Sequence, residues 1–327
     1  MKTTERLASF TLFDHFTPDQ LERLAQCASL VRFPGGVTVI KEGDTSQDAY
    51  IVHKGRVRIK RDTSYGSFEL AKLGEGDLFG ETSFVDQAPR SMDAITEQAS
   101  ELFLLSLVGL SSTADQDPKF ATALWWTFWR ALSTKLRATN ERLTKFFESG
   151  VSLNAEVPPP REPTGSFRLQ IDQKQDLFTE QKLSRMEIHF LASLSKERQL
   201  KSGEVLFREG DPGDAMYVVL DGRVRISKQI PGAGEEALAF MERGDWFGEM
   251  ALIDNQPRSA EAKAHDGGAV VLAVPRDVVS GLLDIRKVSS VRLLRILCAL
   301  LAKRLREIDD KLVGWYILSG GGSGTGG

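Results

Sequence analysis

Much of this 327-residue sequence occurs twice, and that repeat limits what the chain can fold into. Glu42-Gly43-Asp44 recurs as Glu209-Gly210-Asp211, 167 residues later. Phe79-Gly80-Glu81 recurs as Phe247-Gly248-Glu249, 168 residues later. The second copy has therefore gained one residue between the two motifs, and the tip of a hairpin tolerates such a change. So long a period predicts two copies of one domain and excludes a solenoid of short repeats.

Within each copy the local pattern is that of short β-strands. Gly55-Arg56-Val57-Arg58-Ile59 recurs as Gly222–Ile226, and glycine-bearing turns separate such runs. Many short strands with regular turns predict a small antiparallel barrel or roll in each copy. The Glu-Gly-Asp repeats are interpreted as hairpin turns rather than as ligand contacts.

Helical patterns flank each predicted roll. Apolar residues recur at helical spacing in Pro118–Glu148 and again in Val291–Tyr316. The charged residues of Lys135–Arg142 and Lys303–Lys311 are interpreted as solvated helix faces. We therefore predict a mainly β chain with flanking α-helices, divided into a first domain at 1–148, a Pro-containing linker at 149–179, a second domain at 180–316 and a Gly-rich flexible tail at 317–327.

The composition argues against several classes of function. The net charge of −3 shows no basic surplus of the kind common in DNA-binding proteins. The only two cysteines, Cys27 and Cys298, are far apart, which favours a reducing, cytoplasmic location. The longest apolar stretch, Leu297–Ala302, is too short to span a membrane. We expect no metal site, no cofactor and no enzymatic activity, because neither metal-ligand spacing nor a nucleophilic triad is found.

One constellation in each copy carries recognizable chemistry. A glycine and a glutamate, Gly80-Glu81 and Gly248-Glu249, stand nine residues (counted from the glutamate) before Arg90 and Arg258. An arginine offers a fork of donors that matches two phosphate oxygens. Glycine lets the backbone approach a ligand closely, and a carboxylate accepts a hydrogen bond from a hydroxyl group. The pattern predicts two pockets for a phosphate anion next to a hydroxyl group.

The second of these runs resembles a known motif. Phe247-Gly248-Glu249-Met250-Ala251-Leu252, followed by Pro257-Arg258-Ser259-Ala260, is similar to the phosphate-binding cassette of the cyclic-nucleotide-binding domain family. That family includes the bacterial catabolite activator proteins and the regulatory subunits of cyclic AMP-dependent protein kinase. The resemblance covers about 10–145 and 180–316. It implies two jelly-roll-like β-rolls, each with N-terminal helices and a C-terminal hinge helix that closes over the base.

The resemblance also implies roles for individual residues. The glutamates would accept a hydrogen bond from the ribose 2′-hydroxyl, and the arginines would bind the cyclic phosphate. The first copy departs from the family pattern at Thr82, Ser83 and Met92, and Met92 could crowd the pocket. The candidate ligand-binding residues of the two cassettes are Gly80, Glu81, Thr82, Ser83, Arg90 and Ser91, and Gly248, Glu249, Met250, Ala251, Arg258 and Ser259.

The hinge helices would decide which base is bound. In the catabolite activator family two adjacent residues on this helix contact adenine. Thr139 and Asn140 stand at the matching positions of the first helix, and Ile308 and Asp309 at those of the second. We expect cyclic AMP rather than cyclic GMP, although an acceptor such as Asp309 suits either exocyclic amino group. The kinase-subunit family instead caps the base with an aromatic residue, and Trp315, Tyr316 or Trp126 could do so.

These observations predict a cyclic-nucleotide sensor with two sites, which regulates a protein partner when ligand moves its hinge helices. We expect no direct DNA binding, because no helix-turn-helix follows the second hinge helix, and a homodimer could form through the hinge helices. Two alternatives stay open. One is a scaffold of two ligand-free rolls, and the other is an inhibitor like the kinase regulatory subunits, although no Arg-Arg-x-Ser-like segment precedes the first roll.

Overall fold

The structure of the chain is a computed structural model. It describes residues 2–148, 171–180, 183, 185–230, 234–284 and 290–318. Most of the predicted linker and nearly all of the predicted tail lie outside the described residues. The last part of that linker, 171–179, is instead part of a helix, Ile171–Glu180, whose apolar residues Leu177 and Phe178 are buried.

The first half of the chain forms one roll with helices before and after it. Thr17 begins the second helix by accepting from Gln20 N, as its position before Pro18 predicts. The helices are α1 (Thr3–Ala8), α2 (Pro18–Gln26), α3 (Glu81–Asp86), α4 (Leu107–Gln116) and α5 (Pro118–Glu148), with a 3-10 turn at Thr11–Phe13. The strands are β1 (Ala28–Phe33), β2 (Thr38–Ile40), β3 (Ala49–Lys54), β4 (Val57–Thr63), β5 (Gly66–Leu73), β6 (Leu78–Phe79), β7 (Asp93–Thr96) and β8 (Ser100–Leu105).

The strands of the first roll form two antiparallel sheets. One has the order β1-β8-β3-β6 and the other has the order β2-β7-β4-β5. Residues on the inner faces build a shared core at Ile40, Val52, Val57, Phe79, Ala94 and Leu102. The short helix α3 leaves this core directly after β6, so the predicted Gly-Glu motif starts from a rigid strand end.

The second half repeats this arrangement. Its helices are α6 (Ile171–Glu180), α7 (Arg185–Leu194), α8 (Met250–Ile253), α9 (Arg276–Leu282) and α10 (Ser290–Leu318). Its strands are β9 (Lys196–Leu200), β10 (Val205–Phe207), β11 (Ala215–Ile230), β12 (Gly234–Met241), β13 (Trp246–Phe247) and β14 (Glu261–Pro275). Two pairs of strands in the first roll are single long strands here, because β11 and β14 bend at irregularities instead of breaking.

The extra residue of the second copy lies at the predicted hairpin tip. The β4–β5 hairpin closes with Thr63 opposite Gly66. The β11–β12 hairpin closes with Ile230 opposite Gly234, so its connection is one residue longer. The prediction made from the two repeat distances is confirmed.

Contacts divide the chain into two units that do not coincide with the two sequence copies. Unit 1 comprises Met1–Leu132 together with Leu301–Gly327, and unit 2 comprises Ser133–Leu300. Each long helix is therefore split: α5 begins in unit 1 and ends in unit 2, and α10 does the reverse. The domain boundaries predicted from the sequence, 1–148 and 180–316, place all of α5 in the first domain and all of α10 in the second, and they stay a prediction.

Three further features of the described residues concern membrane spans, metal ions and the two cysteines. Among the described residues, no helix is long and apolar enough to cross a membrane. The same residues contain no group of three or more His, Cys, Asp and Glu side chains that could hold a metal ion. Cys27 and Cys298 are both free thiols, and complete burial raises the pKa of Cys298 well above its usual value.

Candidate functional site

The first cassette starts at a glycine that no other residue could replace without strain. Gly80 has φ of 78°, in the left-handed region, and directly precedes α3. A Cβ at this position would lie 2.8 Å from Nη1 of Arg90. Glu81, the first residue of α3, has no exposed surface. The glycine therefore brings a buried carboxylate and a buried guanidinium to one corner of the roll.

Arg90 is 4% exposed and is held by main-chain oxygens. Its Nη1 donates to Gly80 O at 2.8 Å and its Nη2 to Asp48 O at 2.6 Å, while its Nε donates to Ser46 Oγ at 3.2 Å. Burial lowers the pKa of Arg90, and the nearby Tyr50, Asp48 and Glu81 partly oppose that effect. The guanidinium stays charged because an arginine pKa starts so high.

The second cassette has a similar geometry and differs in the contacts of its arginine. Gly248 has φ of 75°, and a Cβ there would lie 2.7 Å from Nη1 of Arg258. That Nη1 donates to Gly248 O at 2.6 Å, and Nη2 donates to Ala215 O at 2.7 Å. Asp214 Oδ1 lies 3.3 Å from the same Nη2. Unlike Arg90 Nε, the buried Nε of Arg258 has no hydrogen-bond partner among the described residues.

Aromatic rings support the second arginine. The guanidinium carbon of Arg258 lies 4.2 Å from the centre of the Phe207 ring and 5.6 Å from that of Tyr217. Tyr217 in turn stacks on Phe247, with ring centres 5.4 Å apart. Burial lowers the pKa of Arg258 as well, and Tyr217, Asp214 and Glu249 oppose the shift. These rings fix the guanidinium plane, which orients its donors.

The Glu-Gly-Asp turns have a role that the sequence analysis did not give them. Gly43 N donates to Arg90 O at 2.9 Å, and Arg90 N donates to Asp44 O at 2.8 Å. Gly210 N and Asp211 O bind the main chain of Arg258 at 2.9 and 2.8 Å. Each turn therefore pins the backbone of a cassette arginine, which explains why turn and arginine are repeated together.

Two predicted residues of the first cassette bind side chains from elsewhere in unit 1. Ser83 Oγ accepts from Nη2 of Arg306 at 3.1 Å. Ser91 O accepts from Arg61 Nη2 at 2.5 Å. Thr82 is partly exposed. Met92 is buried beside Leu70 and Val313, so its side chain lies in an apolar cluster.

The corresponding residues of the second cassette make different contacts. Met250 and Ala251 are buried on α8. Ser259 Oγ lies 3.8 Å from Sδ of Met250. Ala251 O accepts from Nη2 of Arg276 at 3.0 Å, which ties α8 to the start of α9.

Each candidate base-contacting residue lies in the unit that contains the cassette of the other sequence copy. Thr139 and Asn140 were predicted to serve the first pocket, but α5 from Ser133 onward belongs to unit 2. Asp309 was predicted to serve the second pocket, but α10 from Leu301 onward belongs to unit 1. Asn140 is 4% exposed, and its Oδ1 has no hydrogen-bond partner among the described residues.

Sequence reasoning missed several residues that complete the two sites. They follow each Glu-Gly-Asp turn or stack on the arginine, and are Ser46, Asp48, Asp214, Ala215 and Phe207. Three of these contribute main-chain or hydroxyl oxygens, which leave no distinctive sequence pattern. Their position directly after a repeated turn was the one available signal.

The two arrangements can bind an anion beside a hydroxyl group. Each has a buried guanidinium, a buried carboxylate and a left-handed glycine directly before that carboxylate residue. In the first cassette the glycine is the N-cap of α3, whereas in the second Glu249 is the N-cap of α8. A phosphate would satisfy the unpaired Nε of Arg258 and lower the cost of burying that charge.

Comparisons with known proteins agree with this geometry. The family model for the cyclic nucleotide-binding domain matches residues 30–117 and 197–286. The cyclic AMP receptor protein of Thermus thermophilus is 38% identical over 130 residues, which is 40% of this chain and 58% of that protein. The CRP-like cAMP-activated global transcriptional regulator of Mycobacterium tuberculosis is 33% identical over 125 residues, 37% of this chain and 54% of that protein.

Other relatives match across both copies. The cAMP-dependent protein kinase regulatory subunit of Mycosarcoma maydis is 24% identical over 265 residues, 77% of this chain and 42% of that protein. The chain thus spans about half the length of the curated relatives it matches. The solved regulatory domain of Toxoplasma gondii PKA with cAMP is 19% identical and covers 96% of both chains, with a TM-score of 0.32.

Proposed function

This chain belongs to the cyclic-nucleotide-binding domain family, and we propose that it is a cyclic-nucleotide sensor with one ligand site at each cassette. The observation that carries the proposal is the repeated pairing of a buried arginine with a buried glutamate next to a left-handed glycine. Glu81 and Glu249 are 0% and 2% exposed, and Arg90 and Arg258 are 4% and 3% exposed. Charges are buried this deeply when they are paired or when a ligand compensates them.

In the proposed mode of binding, each residue does one task. The guanidinium of Arg90 or Arg258 donates to the equatorial oxygens of the cyclic phosphate. The carboxylate of Glu81 or Glu249 accepts from the ribose hydroxyl, and the main-chain N–H groups that follow Gly80 or Gly248 add donors. The Glu-Gly-Asp turns keep each arginine in place while the ligand enters.

We propose cyclic AMP as the ligand, and we assign base contacts according to the units. Thr139 and Asn140 would serve the second pocket, because α5 after residue 132 lies in unit 2. Asp309 would serve the first pocket. An unpaired amide oxygen such as that of Asn140 suits the exocyclic amino group of adenine. Several relatives are named for cyclic AMP, which supports the same choice.

The proposed output is regulation of a protein partner by movement of the long helices. In unit 1 the cassette helix contacts α5 directly, since the rings of Phe84 and Phe128 lie 4.7 Å apart. Trp125 lies 6.5 Å from the same phenylalanine. A ligand that moves α3 therefore changes the packing of α5, provided that it binds the two states with different affinity. That two chains form a homodimer through these helices stays a prediction. Light scattering tests it by measuring the molar mass in solution.

Two alternatives make different predictions. A scaffold of two ligand-free rolls would show no stabilization by ligand. An inhibitor like the kinase regulatory subunits would be identified by its binding to a kinase. The unpaired, buried Nε of Arg258 favours an anion-binding role instead. Isothermal titration with cyclic AMP, with cyclic GMP and with linear 5′-AMP as the control separates these outcomes. We expect two sites for cyclic AMP and a rise in melting temperature, and no heat of binding would refute the proposal.

A further inference from the structure

Two arginines on the long helices reach the cassettes, although both were interpreted as parts of solvated helix faces. Arg306 lies on the part of α10 that belongs to unit 1. Its Nε donates to Asp86 Oδ2 at 2.6 Å and its Nη2 to Asp86 Oδ1 at 3.0 Å. Its Nη1 donates to Pro89 O at 2.9 Å. Together with the bond to Ser83 Oγ, Arg306 therefore binds both α3 and the residue before Arg90.

A matching contact occurs in unit 2. Arg137, on the part of α5 in that unit, donates from Nε to Asp254 Oδ2 at 2.8 Å and from Nη1 to Pro257 O at 3.2 Å. Asp254 and Pro257 are the repeats of Asp86 and Pro89, each 168 residues later. The same constellation has thus formed twice, and its aspartate and proline are part of the duplicated motif.

The two contacts are crossed with respect to the sequence copies. The helix that follows the second roll binds the first cassette, and the helix that follows the first roll binds the second cassette. The side chains of Arg306 and Asp86 are 19% and 16% exposed, and those of Arg137 and Asp254 are 20% and 24% exposed. Pairs shielded to this degree are stronger than exposed surface pairs.

Further contacts fix α10 along the first roll. Arg61 donates to Asp310 Oδ1 at 2.6 Å and also to Ser91 O beside Arg90. Val313 packs on Met92, and the ring of Tyr316 lies 4.8 Å from that of Phe68. The first cassette is therefore held by α10 on both sides of its arginine.

We propose that Arg306 and Arg137 are positioning residues, through which each nucleotide site is controlled by the helix of the opposite sequence copy. Neither arginine needs to touch the ligand. Each holds the aspartate and the proline that lie between the glutamate and the arginine of its cassette, and so sets the position of Arg90 or Arg258. Binding of ligand at the first site then changes how α10 is held, and binding at the second site changes how α5 is held. The position of each helix affects the affinity of its site by the same free energy. This inference rests on the proposed nucleotide binding.

The test measures each site alone by titration with cyclic AMP. In an Arg258→Ala background only the first site remains, and in an Arg90→Ala background only the second. We expect Arg306→Ala to weaken the first site about tenfold and to leave the second within about twofold. Arg137→Ala should do the opposite. Lys303→Ala, an exposed substitution on the same helix, is the matched control and should change neither site.

Two further measurements separate positioning from general loss of structure. Asp86→Asn keeps the shape of the side chain and should weaken the first site as much as Arg306→Ala. The exchange Asp86→Arg with Arg306→Asp should recover at least half of the lost affinity, expressed on a logarithmic scale. Hydrogen exchange on residues 301–318 should slow when cyclic AMP occupies the first site alone.

The outcomes identify which idea has failed. If the parent chain binds no cyclic AMP, the proposed function is wrong. If the parent binds at two sites but Arg306→Ala weakens the second site, or neither site, the crossed control is wrong while the sensor stands. A full effect of Lys303→Ala would also refute the assignment to Arg306.

Discussion

Replacement of Arg258 by alanine should remove ligand binding at the second site and cost much less folding stability. In the ligand-free chain this arginine donates to Gly248 O and Ala215 O. Its removal loses those two bonds and the contact with Asp214 Oδ1, but it also removes a buried charge, so the free energy of unfolding should fall by only about 1 kcal/mol. Bound phosphate would lose its charge-assisted donors, which is a loss of about 3 kcal/mol or about 100-fold in affinity.

Calorimetric titration measures the loss of affinity, and thermal unfolding of the same protein measures the loss of folding stability. The parent should bind two equivalents of cyclic AMP and Arg258→Ala only one in the same concentration range. Arg223→Ala is a matched control, because Arg223 is an exposed arginine of the same roll that pairs with Glu242. It should keep two sites and change stability by less than about 0.5 kcal/mol. Two unchanged sites in Arg258→Ala would refute the reasoning, as would a lost site in Arg223→Ala.

Three further changes have defined outcomes. Gly80→Ala should lower the unfolding free energy, measured by urea denaturation, by about 2 kcal/mol, because φ is 78° and the new Cβ would lie 2.8 Å from Nη1 of Arg90. Gly36→Ala is the control, since its φ is also positive but its Cβ would have open space around it, and it should cost about 1 kcal/mol. Met92→Ala should lower the unfolding free energy by about 2 kcal/mol in the same assay, because the shorter side chain leaves a cavity in the apolar cluster around Met92. An unchanged unfolding free energy would contradict this packing. Burial lowers the pKa of His15, so the contribution of His15 to the unfolding free energy is largest above about pH 6.5 and decreases as the pH drops below that value. His15→Gln should therefore make the melting temperature depend less on pH in this range.

The sequence was enough to predict the rolls and the cassettes, because their signals are local. Repeated turns, alternating strands and a fixed Gly-Glu to Arg distance each depend on neighbours in the chain. The capping of α2 by Thr17 and the extra residue at the β11–β12 tip were predictable for the same reason. Local patterns therefore identified the fold, and they predicted the residues that the structure brings together in each candidate site.

The sequence could not show which roll holds the end of each long helix. An apolar stripe such as Leu301, Leu305 and Leu312 is equally able to pack on either of two similar rolls. Arg306 and Arg137 were interpreted as solvated for that reason, since their partners are 220 and 117 residues away. Long-range pairing of this kind depends on tertiary contacts that periodicity does not encode.

The division of the long helices also bears on the order in which the protein is completed during synthesis. Unit 2 is one continuous stretch, Ser133–Leu300, so all of it is translated before any residue from Leu301 onward. Unit 1 combines residues up to Leu132, which are translated before unit 2, with residues from Leu301 onward, which are translated after it. Domains usually fold in the order in which they are synthesised. Here unit 1 cannot be completed until the whole of unit 2 has been translated.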